Sequence, residues 1–148
     1  MATGDGWTSR LLTGLAEHLA AAGIATWRAS GSYQAGEIGI YIRAIPSSPD
    51  QIITLAPYVV ASEPGMADIT QGVQIRCRGT KDPRVVEDLA DAIFDALDSA
   101  HGLVWGGVPI VQAYRQSYTA LGADSNGRWE TSSNYYVEAM RPTSNRTD

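Results

Sequence analysis

The sequence predicts an α+β domain in which two amphipathic helices pack on one face of a mostly antiparallel sheet. In two segments, apolar residues recur at every third or fourth position, which indicates helices. Elsewhere apolar and polar residues alternate in runs bounded by glycine and proline, which indicates strands and turns. The predicted order is α-β-β-β-α-β-β, ending in a long C-terminal β-hairpin.

The first helix is predicted between Asp5, a suitable N-cap, and Gly23, which can supply the left-handed conformation that ends many helices. Its apolar stripe consists of Trp7, Leu11, Leu12, Leu15, Ala16 and Leu19.

Three strands are predicted next, at residues 37–45, 51–60 and 72–79. Pro57 cannot donate a ladder hydrogen bond, so this part of the second strand should lie at a sheet edge or a bulge. The third strand alternates most clearly. Its predicted inward residues are Val73, Ile75 and Cys77, and its predicted outward residues are Gln74, Arg76 and Arg78.

The second helix is predicted to begin at the Asp82 cap, with Pro83 at its first position, and to end before Gly102. Two long strands follow, Val108–Leu121 and Arg128–Arg141. The six-residue segment GADSNG joins them and has the composition of a turn. We expect residues 1–142 to form one domain and residues 143–148 to form a mobile tail.

The composition excludes several classes of function. A formal net charge of −5 argues against nucleic acid as a direct ligand, because phosphate neutralisation needs clustered lysine and arginine. The single cysteine excludes an internal disulfide and is compatible with a reducing compartment. We expect no membrane association, since no apolar run is long enough to span a bilayer and no secretory signal is recognisable.

No catalytic or metal-binding motif is recognisable, so we expect neither an enzyme nor a cofactor. The segment RGTKD lacks the glycine spacing of a phosphate-binding loop, and no nucleophile elbow is present. His18 and His101 are the available imidazoles, and we interpret them as surface or capping residues. Cys77 is interpreted as a buried structural thiol.

Charge and aromatic patterns give candidate interaction residues instead. The second helix carries acidic residues at three- or four-residue spacing, which we call the acidic ridge: Glu87, Asp91, Asp95 and Asp98. Asp88 lies beside this ridge. Arg76 and Arg78 form a basic pair that could face solvent or meet the ridge of a neighbouring copy. The ridge could likewise be a solvated face, a surface for a basic partner or a lining that repels DNA.

Aromatic residues lie on both strands of the predicted hairpin. Tyr114 and Tyr118 are on the first strand and Tyr136 is on the second, where Trp129 and Tyr135 occupy the alternate positions. One helical layer covers only one face of a sheet, so these residues favour a second covering surface supplied by another protein.

Three segments together resemble the small tail terminator proteins of long-tailed bacteriophages, which are also described as minor capsid or head–tail joining proteins. The segments read GIYIRAIPSSPDQIITLAPYVV, GVQIRCRGTKDPRVVEDLADAIFDAL and RWETSSNYYVEAMRP. The shared features are an opening amphipathic helix, a Pro-Asp turn, a Gly-Val-Gln-Ile-Arg strand leading into an acidic helix, and a closing strand. The resemblance extends from Leu11 to Pro142.

The resemblance implies a structural virion protein that assembles as a homo-oligomeric ring, expected to be a hexamer, at the head–tail junction. The ring would cap the tail tube, end its polymerisation and offer a surface to the head-completion protein. It implies assembly in the host cytoplasm and DNA that only passes through the lumen. Two alternatives stay open: another head–tail connector, either a stopper or an adaptor, and a small α+β ligand-binding module.

Overall fold

The computed structural model describes residues 2–147 and contains two helices and one six-stranded sheet. The elements are α1 (Trp7–Ala21), β1 (Gly39–Ile42), β2 (Ile52–Ser62), β3 (Asp68–Arg78), α2 (Pro83–Leu97), β4 (Ala100–Trp105), β5 (Val108–Ala123) and β6 (Trp129–Met140). The strand order is β1-β2-β3-β6-β5-β4. Neighbouring strands are antiparallel, except that β1 and β2 are parallel.

Both helices pack on the same face of the sheet, which confirms the predicted architecture. The apolar stripe of α1 and that of α2 join one core cluster with residues from the central strands. On β3 the core residues are Val73, Ile75 and Cys77, as the alternation predicted. The opposite face of the sheet, which we call the helix-free face, has neither helix packed on it.

The N-terminus of α1 differs from the prediction. Gly6 is the N-cap and no side chain caps the helix, whereas the Asp5 carboxylate accepts a hydrogen bond from the Ala2 amide at 3.0 Å. The helix ends at Ala21, and Gly23 follows with a φ of +77°, as predicted.

The predicted start of α2 is confirmed, and its predicted end is wrong. The Asp82 carboxylate accepts a hydrogen bond from the Arg84 amide at 3.0 Å, and Pro83 occupies the first helical position. The helix ends at Leu97, and the chain reverses at Ser99, whose φ is +66°. Gly102 lies in β4, a strand absent from the predicted order, which pairs with β5 along the outer edge of the sheet.

Three irregularities interrupt the pairing of β5 with β6, and they change which side chains share a face. The register shifts lie between Ile110 and Gln112, between Arg115 and Ser117, and between Ala120 and Gly122. A bulge inserts an unpaired residue, so the alternation inverts at each one. Simple period-two counting along β5 therefore fails.

The open edge of β2 agrees with the prediction for Pro57. Strand β1 pairs with β2 only from Ile52 to Leu55, so Pro57 lies past the end of β1 and needs no donor on that side. A further irregularity lies between Val59 and Ala61.

As far as the structure describes it, the C-terminal segment folds back on the loop between β2 and β3. Thr143 and Arg146 form a bridge, and the Thr147 amide donates to the Gly65 carbonyl at 3.0 Å. Asp148 lies outside the described residues, and the mobility of residues 143–148 stays a prediction. Within residues 2–147, neither helix is long and apolar enough to cross a membrane.

Candidate interaction surfaces

A row of tyrosine side chains crosses the middle of the helix-free face. The ladder aligns Tyr58 of β2 with Gly72 of β3, Gly72 with Tyr136 of β6, and Tyr136 with Tyr114 of β5. The rings of Tyr114 and Tyr136 pack edge to face with centroids 5.8 Å apart. We call Tyr58, Tyr136 and Tyr114 the tyrosine row.

Gly72 makes room for this row. A Cβ atom at position 72 would lie 2.4 Å from Cε2 of Tyr58, so the ring of Tyr58 lies directly over the glycine backbone. Tyr58 remains 37% exposed, and partial burial raises its pKa. A glycine inside a strand often marks such a close approach.

A groove lies beside the tyrosine row at the end of the sheet where β3 begins. Its volume is about 350 Å³. Three acidic residues line it, Glu63, Asp68 and Glu138, and Ala61 and Val111 are among its apolar lining residues. We call it the carboxylate groove. Among residues 2–147 the three carboxylates form no ion pair.

The other end of the helix-free face is covered by the loop of residues 43–51, and this loop buries Arg78. Arg78 lies on the helix-free face, as the alternation predicted, but it is only 3% exposed, so the prediction that it forms a surface pair with Arg76 is wrong. Its guanidinium donates to the backbone carbonyls of Pro49 and Asp50, each at 2.8 Å. Burial, and then the nearby charge of Arg128, lower its pKa. Arg78 is therefore not available to a neighbouring copy.

Arg76 is half-buried and already has an acidic partner within the chain. Its guanidinium forms an ion pair with Glu130 of β6 at 2.7 Å. The two side chains lie close because Arg76 pairs with Ser132, two residues from Glu130 on the same face. The pairing of Arg76 with the acidic ridge of another copy stays a prediction that would have to displace this contact.

The acidic ridge of α2 lies on the opposite side of the molecule from the tyrosine row. Glu87, Asp91 and Asp95 are exposed along the helix, as predicted. Asp98 differs, because it occupies the C-cap position and its carboxylate accepts a hydrogen bond from the Arg115 amide of β5 at 2.8 Å. Asp98 therefore joins α2 to the sheet.

Tyr118 lies on the helix side of the sheet and not with Tyr114, because a bulge separates them. It pairs with Ser133, whereas Tyr114 pairs with Tyr136. The Tyr118 hydroxyl donates to the Glu87 carboxylate. Burial, and then this hydrogen bond, raise the pKa of Tyr118 to about 12. Simple alternation along the strand would place Tyr118 on the same face as Tyr114, and the bulge reverses this. That these tyrosines contact another protein stays a prediction.

Groups suited to catalysis or metal binding are not assembled in the part of the chain that the structure describes. Burial raises the pKa of the Cys77 thiol to about 12, so the reactive thiolate is suppressed. His18 contacts the Ala96 carbonyl at 3.2 Å and thereby links α1 to α2. No cluster of three metal-ligating side chains occurs among residues 2–147.

An open apolar groove of about 440 Å³ lies between the end of α1 and the start of α2. Ile24, Ile38 and Val85 line it, and Asp88 is its one acidic side chain. This groove lacks a set of convergent polar groups of the kind that orients a small molecule.

Sequence reasoning missed Tyr58 and the carboxylate groove. The alternation in β6 does place Tyr136 and Glu138 on one face, which is a usable local signal. Glu63 and Asp68 flank a turn, and Tyr58 lies on another strand, so their proximity to β6 depends on strand pairing. No periodicity within one segment reports that pairing.

Comparison with known proteins identifies a family from the sequence and a similar fold among solved structures. The model of a family described as bacteriophage tail terminator protein matches residues 18–141. Among solved structures, a chain from the virion of a native gene transfer agent particle is similar, with a TM-score of 0.51 and 15% sequence identity. The similarity covers 68% of this chain and 78% of that chain and concerns the fold. No curated protein sequence matches the chain.

Proposed function

This chain belongs to the bacteriophage tail terminator family, and on that basis we propose that it forms a ring that caps the tail tube. The ring ends tube polymerisation and provides the surface to which the head is joined. The observation that carries the proposal is the family match across residues 18–141, which spans the strands of the sheet and α2.

The distribution of surfaces supports ring assembly. The tyrosine row lies on the helix-free face, and the exposed part of the acidic ridge lies on the helix side. Two different surfaces on opposite sides of one protomer suit a head-to-tail contact, in which each copy offers one surface to the other surface of the next. Such contacts close into a ring when the rotation between neighbours completes a circle.

Capping requires the two sides of the ring to differ. The side that faces the tube matches the last ring of tube subunits, and the opposite side does not template another one. Growth then stops without any chemical step. This mechanism needs no catalytic group or cofactor.

The lumen of the ring would let DNA pass without holding it. Fixed negative charge disfavours adhesion of phosphate groups, and the chain carries a formal net charge of −5. In this proposal the protein resides at the head–tail junction of the virion and assembles in the host cytoplasm, with the tail tube protein and the head-completion protein as its partners.

Light scattering after size-exclusion chromatography, followed by electron microscopy with purified tail tube protein, tests the proposal. We expect rings, alone or on tube ends, and tubes that stop growing when the protein is added. A strictly monomeric protein that leaves tube length unchanged would refute it. Rings that bind the head-completion protein but ignore tubes would instead assign the chain to the stoppers or adaptors.

A further inference from the structure

We draw no further inference here: the strongest candidate, the uncharged stretch of β5 at residues 116–123 that continues past its pairing with β4, is an open strand edge interrupted by bulges, and nothing in the structure shows what covers it.

Discussion

Gly14 in α1 lies directly against the turn that joins β4 to β5. A Cβ atom at this position would lie 2.4 Å from the Cα atom of Trp105 and 2.4 Å from the backbone nitrogen of Gly106. Both atoms belong to the backbone and cannot rotate away. At position 14, α1 therefore packs against the backbone of the β4–β5 turn with no room for a side chain.

Replacing Gly14 with alanine sets two effects against each other. Alanine stabilises a helix interior by about 1 kcal/mol relative to glycine. Against this, α1 would have to move outward by about 1 Å to restore ordinary contact, which would loosen the packing of Leu11 and Leu15. Overpacking of this kind costs about 3 kcal/mol when the neighbour is rigid. We expect a net destabilisation of about 2 kcal/mol.

For a chain of 148 residues, this loss corresponds to a Tm lower by about 4–8 °C. Thermal unfolding followed by circular dichroism measures it, and urea denaturation gives the free energy independently. Thr13→Ala, one position away on the same helix, is the control, and it should leave the Tm unchanged or raise it slightly. A Gly14→Ala variant more stable than wild type would refute the close packing of α1 on the β4–β5 turn.

Three further predictions concern buried and paired groups. Arg128→Met should lower the free energy of unfolding, measured in urea, by about 3 kcal/mol, because it leaves the carboxylate and carbonyl partners of a side chain that is only 8% exposed without their donor. Arg84→Met is the control, and it should change the free energy of unfolding little because Arg84 is 85% exposed. The hydrogen bond from Arg28 lowers the pKa of Glu37 to about 2, so the stabilisation of the folded state by this pair is present above about pH 4.5 and is lost as the pH falls towards 2. The Tm difference between wild type and Glu37→Gln should therefore shrink over that range, and a constant difference would contradict the pairing. Cys77, 2% exposed with a pKa of about 12, should react with a disulfide reagent only after unfolding in guanidinium; rapid reaction of the folded protein would show that the β3 core is open.

The elements with strong local signals were predictable. The buried face of β3 is the one that the alternation predicted. Helix α2 begins at the predicted Asp82 cap, followed by Pro83. The C-terminal hairpin forms as its turn composition indicates. Each of these depends on residues within one short segment, where burial on one face imposes a period that the sequence displays.

Strand β4 could not be predicted in the same way. It is six residues long, lacks alternation and contains Gly102, which favours the interpretation of a helix end. Its pairing with β5 makes it a strand. The parallel pairing of β1 with β2 likewise depends on residues outside either segment.

The candidate surfaces show the same difference between local sequence signals and contacts made by distant segments. Exposure of the acidic ridge at Glu87, Asp91 and Asp95 follows from helical spacing, and the structure agrees. Arg78 alternates as an outward residue but is buried, because the loop of residues 43–51 folds over it. The spacing of residues along one strand cannot predict whether a loop from another part of the chain covers them.

The sequence by itself determined the α+β class, the two helices and the alternating faces of β3 and β6, because local periodicity reports which side of an element is buried. Only the tertiary structure decided that Tyr58, Tyr136 and Tyr114 form a row beside the carboxylate groove while Tyr118 faces α2. The physical reason is that register and bulges are set by contacts between strands. Each extra residue in β5 inverts the side chains that follow it, as far as the next irregularity.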